Sequence, residues 1–402
     1  VANKATARAF ADVPQSRPAV TTRPVRTRRD LKDFLNVPWS IYGDDPQWVP
    51  PLHAEIRSRL NPKKNPYFEH ANAALFLAER GGRVVGRISA QICQLAQRHH
   101  GTGDGHFGFF ECDDSSQTSD ALFNAAETWL AERSMSRMVG PFNLSIHEEA
   151  GLLIDGFHRP PFVFMTHNPP YYQRLFDEAG MRREMDVYAY YLDITLPYQE
   201  RIARILKAAG RNSKISLRNV DKGNLKAELG LLLELFNESW AENWGHLPMT
   251  QGEVDELAML VRRLFSTDAV VLAEIDGKVA GFMVVIPNLN ELTADLNGKL
   301  FPFGWLRMFY RIQRKSCRSV RVPLMGIAKE YQNTRTGAAI AFSMIDRCRT
   351  ASVRRGATHC EMSWILETNT AMRSILDASG STLDKTYRLY SKSLADVDRP
   401  DE

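Results

Sequence analysis

Apolar positions Leu31, Phe34 and Leu35, followed by Trp39, recur at helical spacing and predict a helix from Arg28 to Tyr42, after a short strand near Thr22 to Val25. Pro46, Pro50, Pro51 and Pro62 then mark an irregular stretch. The run AALFLAERGGRVVGRISAQI is two apolar-rich strands around a Gly81–Gly82 turn, and HFGFFE reads as a third strand. A helix from about Ser119 to Arg133 and a strand near Met138 to Phe142 follow.

The second half repeats this order. The segment from Thr22 is echoed from Ser216, and NPPYYQRLFDEAGMRREMDVYAYYL from Asn168 is echoed by NTAMRSILDASGSTLDKTYRLYSKSL from Asn369. A helix from Tyr198 to Ala209 links the halves, and VVLAEIDGKVAGFMVVI is again a hairpin, turning at Asp276–Gly277. After an insert come the strand VRVPLMGIAK, a helix from Gly337 to Arg349 and the strand HCEMSWI. Strands alternating with helices around an initial antiparallel hairpin define a mixed α/β (α+β) sheet in two tandem domains. The expected division is a disordered tail over 1–20, a first domain over 21–197, and a second over 198–402 with an insert at 288–319.

Composition permits two proper cores: the chain has 402 residues, 44% hydrophobic and 24% charged. A net charge of +4 from 51 basic and 47 acidic residues does not mark a nucleic-acid binder, and none is expected as partner. Cys93, Cys112, Cys317, Cys348 and Cys360 are scattered and lack CxxC spacing, which points away from a disulfide framework and from a metal site, and toward a reduced, cytoplasmic compartment. No apolar run reaches the roughly 18 to 20 residues of a spanning helix.

Local charge changes the picture in the insert. From Lys299 to Arg321 there are seven basic residues and no acid. On a helix starting at Gly304, Trp305, Met308, Phe309 and Ile312 share one side, while Arg307, Arg311, Arg314, Lys315 and Arg318 fall on the other. That pattern suits a helix lying in an anionic membrane surface, placing the protein at the inner face of the cytoplasmic membrane. It also fits a helix packed on the protein with solvated arginines, or a surface for bases and phosphates.

The stretch VRVPLMGIAKEYQNTRTGAAIAFSMIDRC, with NTAMRSILDASG behind it, resembles the GNAT acyltransferases. The resemblance implies that acyl-CoA is the co-substrate and that Ile327 and Ala328 pair with its pantetheine. It implies further that Thr334, Arg335, Thr336, Gly337, Ala338 and Ala339 form the phosphate loop, with Asn369 beside it. A helix start with small residues suits this, because unpaired N–H groups and a partial positive charge meet the phosphates there. Thr334 stands where the family has Gln or Arg, and Arg335 or Gln332 compensates. In the first half the equivalent loop is CDDSSQTSD, where Asp113 and Asp114 oppose a pyrophosphate. The first domain is therefore read as degenerate, without CoA.

Over nearly its whole length, through NPKKNPYFEHANAALFLAERGGRVVGRI, GPFN, GLLIDGF and NPPYY, the chain is similar to the tandem-GNAT group that includes bacterial ceramide synthases. That implies an N-acyltransferase moving a long-chain acyl group from acyl-CoA to a lipid amine such as a sphingoid base. Two other readings stay open: aminoacyl-tRNA-dependent peptidyl transfer, and a non-catalytic lipid- or CoA-binding protein.

Acyl transfer to an amine needs an oxyanion donor, a base and a route for the leaving thiolate. Backbone N–H groups around Met325 to Ala328 are the expected donor, with Gly326 either widening the strand or serving its packing. Glu361 on HCEMSWI and Glu149 in SIHEEAGLLIDGF are the candidate bases, with His147 and His246 as alternatives. The tyrosine that many GNAT enzymes carry seven residues after the asparagine is Leu376 here, so Tyr387 or Tyr390 substitutes, or the thiolate leaves unassisted. Trp240, Asn243, Trp244 and His246 are expected to shape the acceptor site, with Asn143 of GPFN.

Overall fold

A computed structural model of the protein describes residues 18–264, 269–314 and 317–394. Most of the expected tail, and Lys315 of the insert, lie outside the described residues. The first half supplies β1 (Val20–Pro24), β2 (Ala71–Arg80), β3 (Arg83–Cys93), β4 (Asp104–Cys112), β5 (Arg137–Gly140), β6 (Leu152–Asp155) and β7 (Arg182–Asp193). The second supplies β8 (Ile215–Asn219), β9 (Val270–Ile275), β10 (Lys278–Pro287), β11 (Ser319–Ile327), β12 (His359–Leu366) and β13 (Thr382–Ser393).

Local chemistry explains the punctuation. Thr27 and Asp30 form a reciprocal capping box at the start of the helix Arg28–Ile41. The Gly81–Gly82 and Asp276–Gly277 turns have positive φ at both residues, the geometry that lets a two-residue loop join twisted strands.

All thirteen strands form one continuous sheet, ordered β1-β2-β3-β4-β5-β13-β7-β12-β11-β10-β9-β8, with β6 pairing on β13. The pairing crosses the 197/198 division expected from the repeat. The closing strand of the first half, β7, lies against β12 of the second, and β13 lies against β5 of the first. β7 and β13 also pair with each other along most of their length. Each half thus completes its sheet with the other half's last strand.

Both sheet faces are covered in each half, as strands with apolar residues on both sides require. One face packs the helices Ser116–Ala131 and Arg335–Arg354 over two cores, centred on Phe107, Phe123 and Phe176, and on Ile340, Met344 and Cys348. The other carries Arg28–Ile41 and Leu225–Trp240 over cores around Phe34 and Phe236. No helix among the described residues is long and apolar enough to cross a membrane.

Candidate active site

The parallel ladder between β11 and β12 runs only from Ser319–His359 to Val322–Met362. The next residue of β11 is Pro323, which has no N–H to give. The Ala328 N–H bonds to the Ala280 carbonyl, and alternation from that pair turns the odd-numbered residues of this stretch toward β12. Pro323 itself falls where the register of β11 on β10 shifts, between the Leu324 and Arg321 pairs, and it has no N–H with which to continue the ladder. β12 departs as well, its register on β7 shifting between Met362 and Ile365. Between the diverging strands lies a cavity of about 750 Å³.

Its walls are mostly apolar, from Met283, Val322, Ile345, Met362 and Leu376, and its mouth carries polar groups. Of the residues expected from the sequence, Trp240, Asn243, Ile327, Gln332, Thr334, Gly337, Ala338 and Asn369 line it. By the same alternation the Met325 and Ile327 N–H groups point away from β10 into the gap. Ala328 does not share that edge. Its N–H bonds Ala280 and its carbonyl accepts from the Tyr331 N–H.

The loop beyond is built around Thr334. This N-cap hydroxyl donates to the Tyr331 carbonyl (2.7 Å) and accepts from the Gly337 N–H (3.0 Å). Gly337 itself packs on the Tyr331 carbonyl, where a β-carbon would overlap. With Gly337 and Ala338 bonded to Thr334, the amides left over at this helix start are those of Arg335 and Thr336. Arg335 is exposed; Ala339, within the helix, does not line the cavity. Gln332 donates its side-chain amide to the Ile327 carbonyl (3.0 Å), and Asn369 caps the helix Thr370–Ser379 by accepting from the Met372 N–H (3.0 Å).

The corresponding place in the first half is closed. β4 and β5 pair only to His106–Val139, yet the edge beyond is taken by the chain itself: the Phe142 N–H bonds the Phe107 carbonyl (2.6 Å) and the Asn143 side-chain oxygen accepts the Phe109 N–H (2.7 Å). Asn143, expected in the acceptor site, is a plug in the first half instead. Asp113 and Asp114 are ion-paired with Arg80 and Arg174.

The candidate bases differ sharply. Glu149 is held by Arg59 (3.1 Å) and by the Asn143 amide (2.8 Å); burial pushes its acidity down, but these partners outweigh it and keep the pKa below the usual range. Glu361 is fully buried, on the opposite sheet face from Cys360 and Met362, and burial pushes it up to about 7 against the pull of Arg321 and Ser363. Its Oε1 accepts from the Ser363 hydroxyl (2.7 Å), with Arg321 Nε 3.7 Å away. Neither carboxylate lines the cavity directly.

Tyr387 is fully buried, and its acidity is weakened first by burial and then by Glu361, so it belongs to that cluster beneath the cleft and not to the cavity wall. Tyr390 sits in the first half's core, 5.1 Å from the Phe176 ring. His147 bonds the Leu247 carbonyl (2.9 Å), and burial pushes its pKa down; burial and His147 push His246 down to about 4. Trp244 packs in the central core with Trp364 and Tyr387. The serine, the tryptophan and the proline at the splay, Ser363, Trp364 and Pro323, were missed as site residues, although proline inside an apolar strand was a readable signal.

The insert's outward face is only partly the expected one: Met308 and Ile312 are half-buried, while Leu306 and Tyr310 join Trp305 and Phe309 outside. No residue of the helix Gly304–Gln313 is buried, and Phe301, Phe303, Trp305, Leu306, Phe309 and Tyr310 are all exposed. Arg307 and Arg314 are exposed beside them, Arg314 stacking over the Tyr310 ring at 4.8 Å. Arg311 departs from the expected basic set: it turns back to Asp295 (2.6 and 2.8 Å) and the Leu292 carbonyl (2.7 Å).

A mixed sheet whose strand and helix order occurs twice in one chain, with a splayed parallel pair in each half and, in the second, a cavity at the splay and a helix start at its mouth, is the tandem GNAT fold. Solved structures share it across almost the whole chain: a tandem GNAT protein from the clavulanic acid biosynthesis pathway (TM-score 0.55, 11% identity, covering 94% of this chain and 100% of that one) and a GCN5-related N-acetyltransferase from Sphaerobacter thermophilus (TM-score 0.52, 12% identity, 95% and 96%). The chain belongs to the family of the bacterial ceramide synthase of Caulobacter vibrioides, with which it is 43% identical over 372 residues, 92% of this chain and 97% of that protein. The protein YghO of Escherichia coli is 39% identical over 373 residues, 92% and 95% of the two chains. No protein-family model matches the sequence.

Proposed function

We propose that the protein is an N-acyltransferase that moves a long-chain acyl group from acyl-CoA to the amine of a membrane lipid of the sphingoid-base type. The observation that carries this is the asymmetry of the two clefts: the second is open and runs to a helix start, while the first is filled by Phe142 and Asn143. In this reading the Arg335 and Thr336 amides hold the pyrophosphate, the Ile327 edge pairs with pantetheine, and the Met325 N–H meets the thioester oxygen. The apolar cavity receives the chain-bearing end, and Trp240 and Asn243 border the acceptor's approach. Residues 198–394, with β7 in place of β13, form the working unit.

The lipid part of the proposal is supported by the exposed aromatic surface of the insert, flanked by Arg307 and Arg314, which suits the interface of an anionic bilayer at the inner face of the cytoplasmic membrane. Incubation with palmitoyl-CoA with and without a sphingoid base, following thiol release and product mass, tests it. Amine-dependent thiol release with an amide product supports the reading; thiol release without an amide, or none with any amine, overturns it.

A further inference from the structure

Ser363 occupies a singular place: it is the first residue of β12 past the last pair with β11, it lines the cavity, and its hydroxyl is bonded to the buried Glu361. The hydrogen-bond inventory at this oxygen fixes its roles. A serine hydroxyl has one proton to give and two lone pairs. The proton has two neighbours, Glu361 Oε1 at 2.7 Å and the thioether of Met165 at 3.3 Å, and the carboxylate is the stronger acceptor. One lone pair takes the Arg321 Nε–H at 2.9 Å. One lone pair is left over, on a residue that lines the cleft and is itself 1% exposed.

The surroundings hold this arrangement rigid. Arg321 is itself buried, donating also to the Val163 carbonyl (2.9 Å) and the Ser363 carbonyl (3.2 Å), and its guanidinium lies 5.3 Å from the Trp364 ring. The other ionisable groups near Glu361 are Asp384, Lys385 and Tyr387, all on β13. Among the described residues Glu361 Oε2 is buried without a hydrogen-bond partner, so the carboxylate has capacity for a proton.

We infer that Ser363 takes the proton from the attacking amine and passes its own to Glu361, which acts through it as the positioning and accepting group. The inference rests on the acyl-transfer reading above. As the amine nitrogen bonds to the thioester carbon, its N–H proton moves to Ser363 Oγ while the Ser363 proton moves to Glu361 Oε1. The C–S bond breaks, CoA leaves as thiolate, and the proton on Glu361 returns through Ser363 Oγ, whose own proton passes to the thiolate or to water. A carboxylate titrating near neutrality suits that task.

The test uses the full chain with palmitoyl-CoA and a sphingoid base, comparing Ser363→Ala, Ser363→Gly, Ser363→Thr and Glu361→Gln. Expected are a drop in kcat of at least about tenfold in the Ala, Gly and Gln variants, acyl-CoA affinity within about twofold of the parent, and loss of the rising limb of kcat near pH 7. Ser363→Thr, which keeps the hydroxyl, should restore that limb, and Ser363→Ala combined with Glu361→Gln should be no worse than either alone. A limb lost in Glu361→Gln but kept in the Ala and Gly variants would overturn the relay, as would losses confined to KM. Absence of turnover in the parent chain with every amine would sink the acyl-transfer reading itself, a result distinct from both.

Discussion

Gly108 and Phe142 touch where the first half's cleft would open: a β-carbon at 108 would overlap the Phe142 carbonyl. The plug is thus built on both sides, from the glycine that admits it and the Asn143 side chain that satisfies the strand edge. Gly108→Ala should destabilise the fold by about 1–3 kcal/mol through overpacking, seen as a lower Tm, while acyl-CoA affinity measured by calorimetry stays within about twofold. A large loss of affinity would place a CoA site in the first half.

The second half's loop should be far less tolerant of one added carbon. Gly337→Ala must push Tyr331 away and disturb the Thr334 cap that orients the helix start. We expect acyl-CoA affinity to fall at least about tenfold, with Asp113→Asn as a control that leaves it unchanged. Equal losses in both variants would contradict binding by the second half alone.

Stability should depend on pH through a contact between the halves. His70, beside Cys93 (3.4 Å) and 3.6 Å from Glu253 of the helix Gln251–Leu264, is raised to about 9 by its bond to Cys93 and then by Glu253. A raised folded-state pKa contributes stability that is fully present below about 6.5 and is lost as pH rises through about 9. The expected gap in stability between the parent and His70→Gln, on the order of 1–3 kcal/mol at pH 6, should close by pH 10. A gap independent of pH would show that the imidazole acts by packing alone.

Membrane attachment, if it uses the insert, should depend on its aromatic residues. Trp305 and Phe309 are 46% and 58% exposed, so Trp305→Ser with Phe309→Ser should leave Tm unchanged while releasing the protein from anionic vesicles in co-sedimentation. Arg307→Glu with Arg314→Glu should weaken attachment in a salt-sensitive way, on the order of 1 kcal/mol per basic residue removed. Arg311→Ala should instead lower Tm, because it breaks the Asp295 pair. Unchanged sedimentation of the aromatic variant would assign this face to another partner.

Strand and helix order was readable from the chain because alternation, helical spacing and two-residue turns are local signals. Gly81–Gly82 and Asp276–Gly277 sit at the tips of the hairpins they announce. Which strand pairs with which was not readable: β7 and β13 descend from the same repeated segment, carry similar patterns, and are exchanged without any local mark. The cavity was legible where backbone and small residues line it, at Ile327, Thr334, Gly337 and Asn369. It was obscured where long-range contacts decide, since nothing near Asn143 announces that its side chain caps Phe109, and nothing near Glu361 announces Arg321 behind it.

The strand exchange also governs how the molecule can be made. β5 waits for β13, so the central edge of the first half stays unpaired until nearly the whole described chain has left the ribosome, a delay on the order of tens of seconds at ordinary translation rates. The edge is an open template for the wrong partner throughout that time. Cutting the chain at the repeat boundary would part each half from the strand that closes its sheet here, leaving it with its own copy instead. Two fragments made together could still assemble, by the same pairing that joins them in one chain.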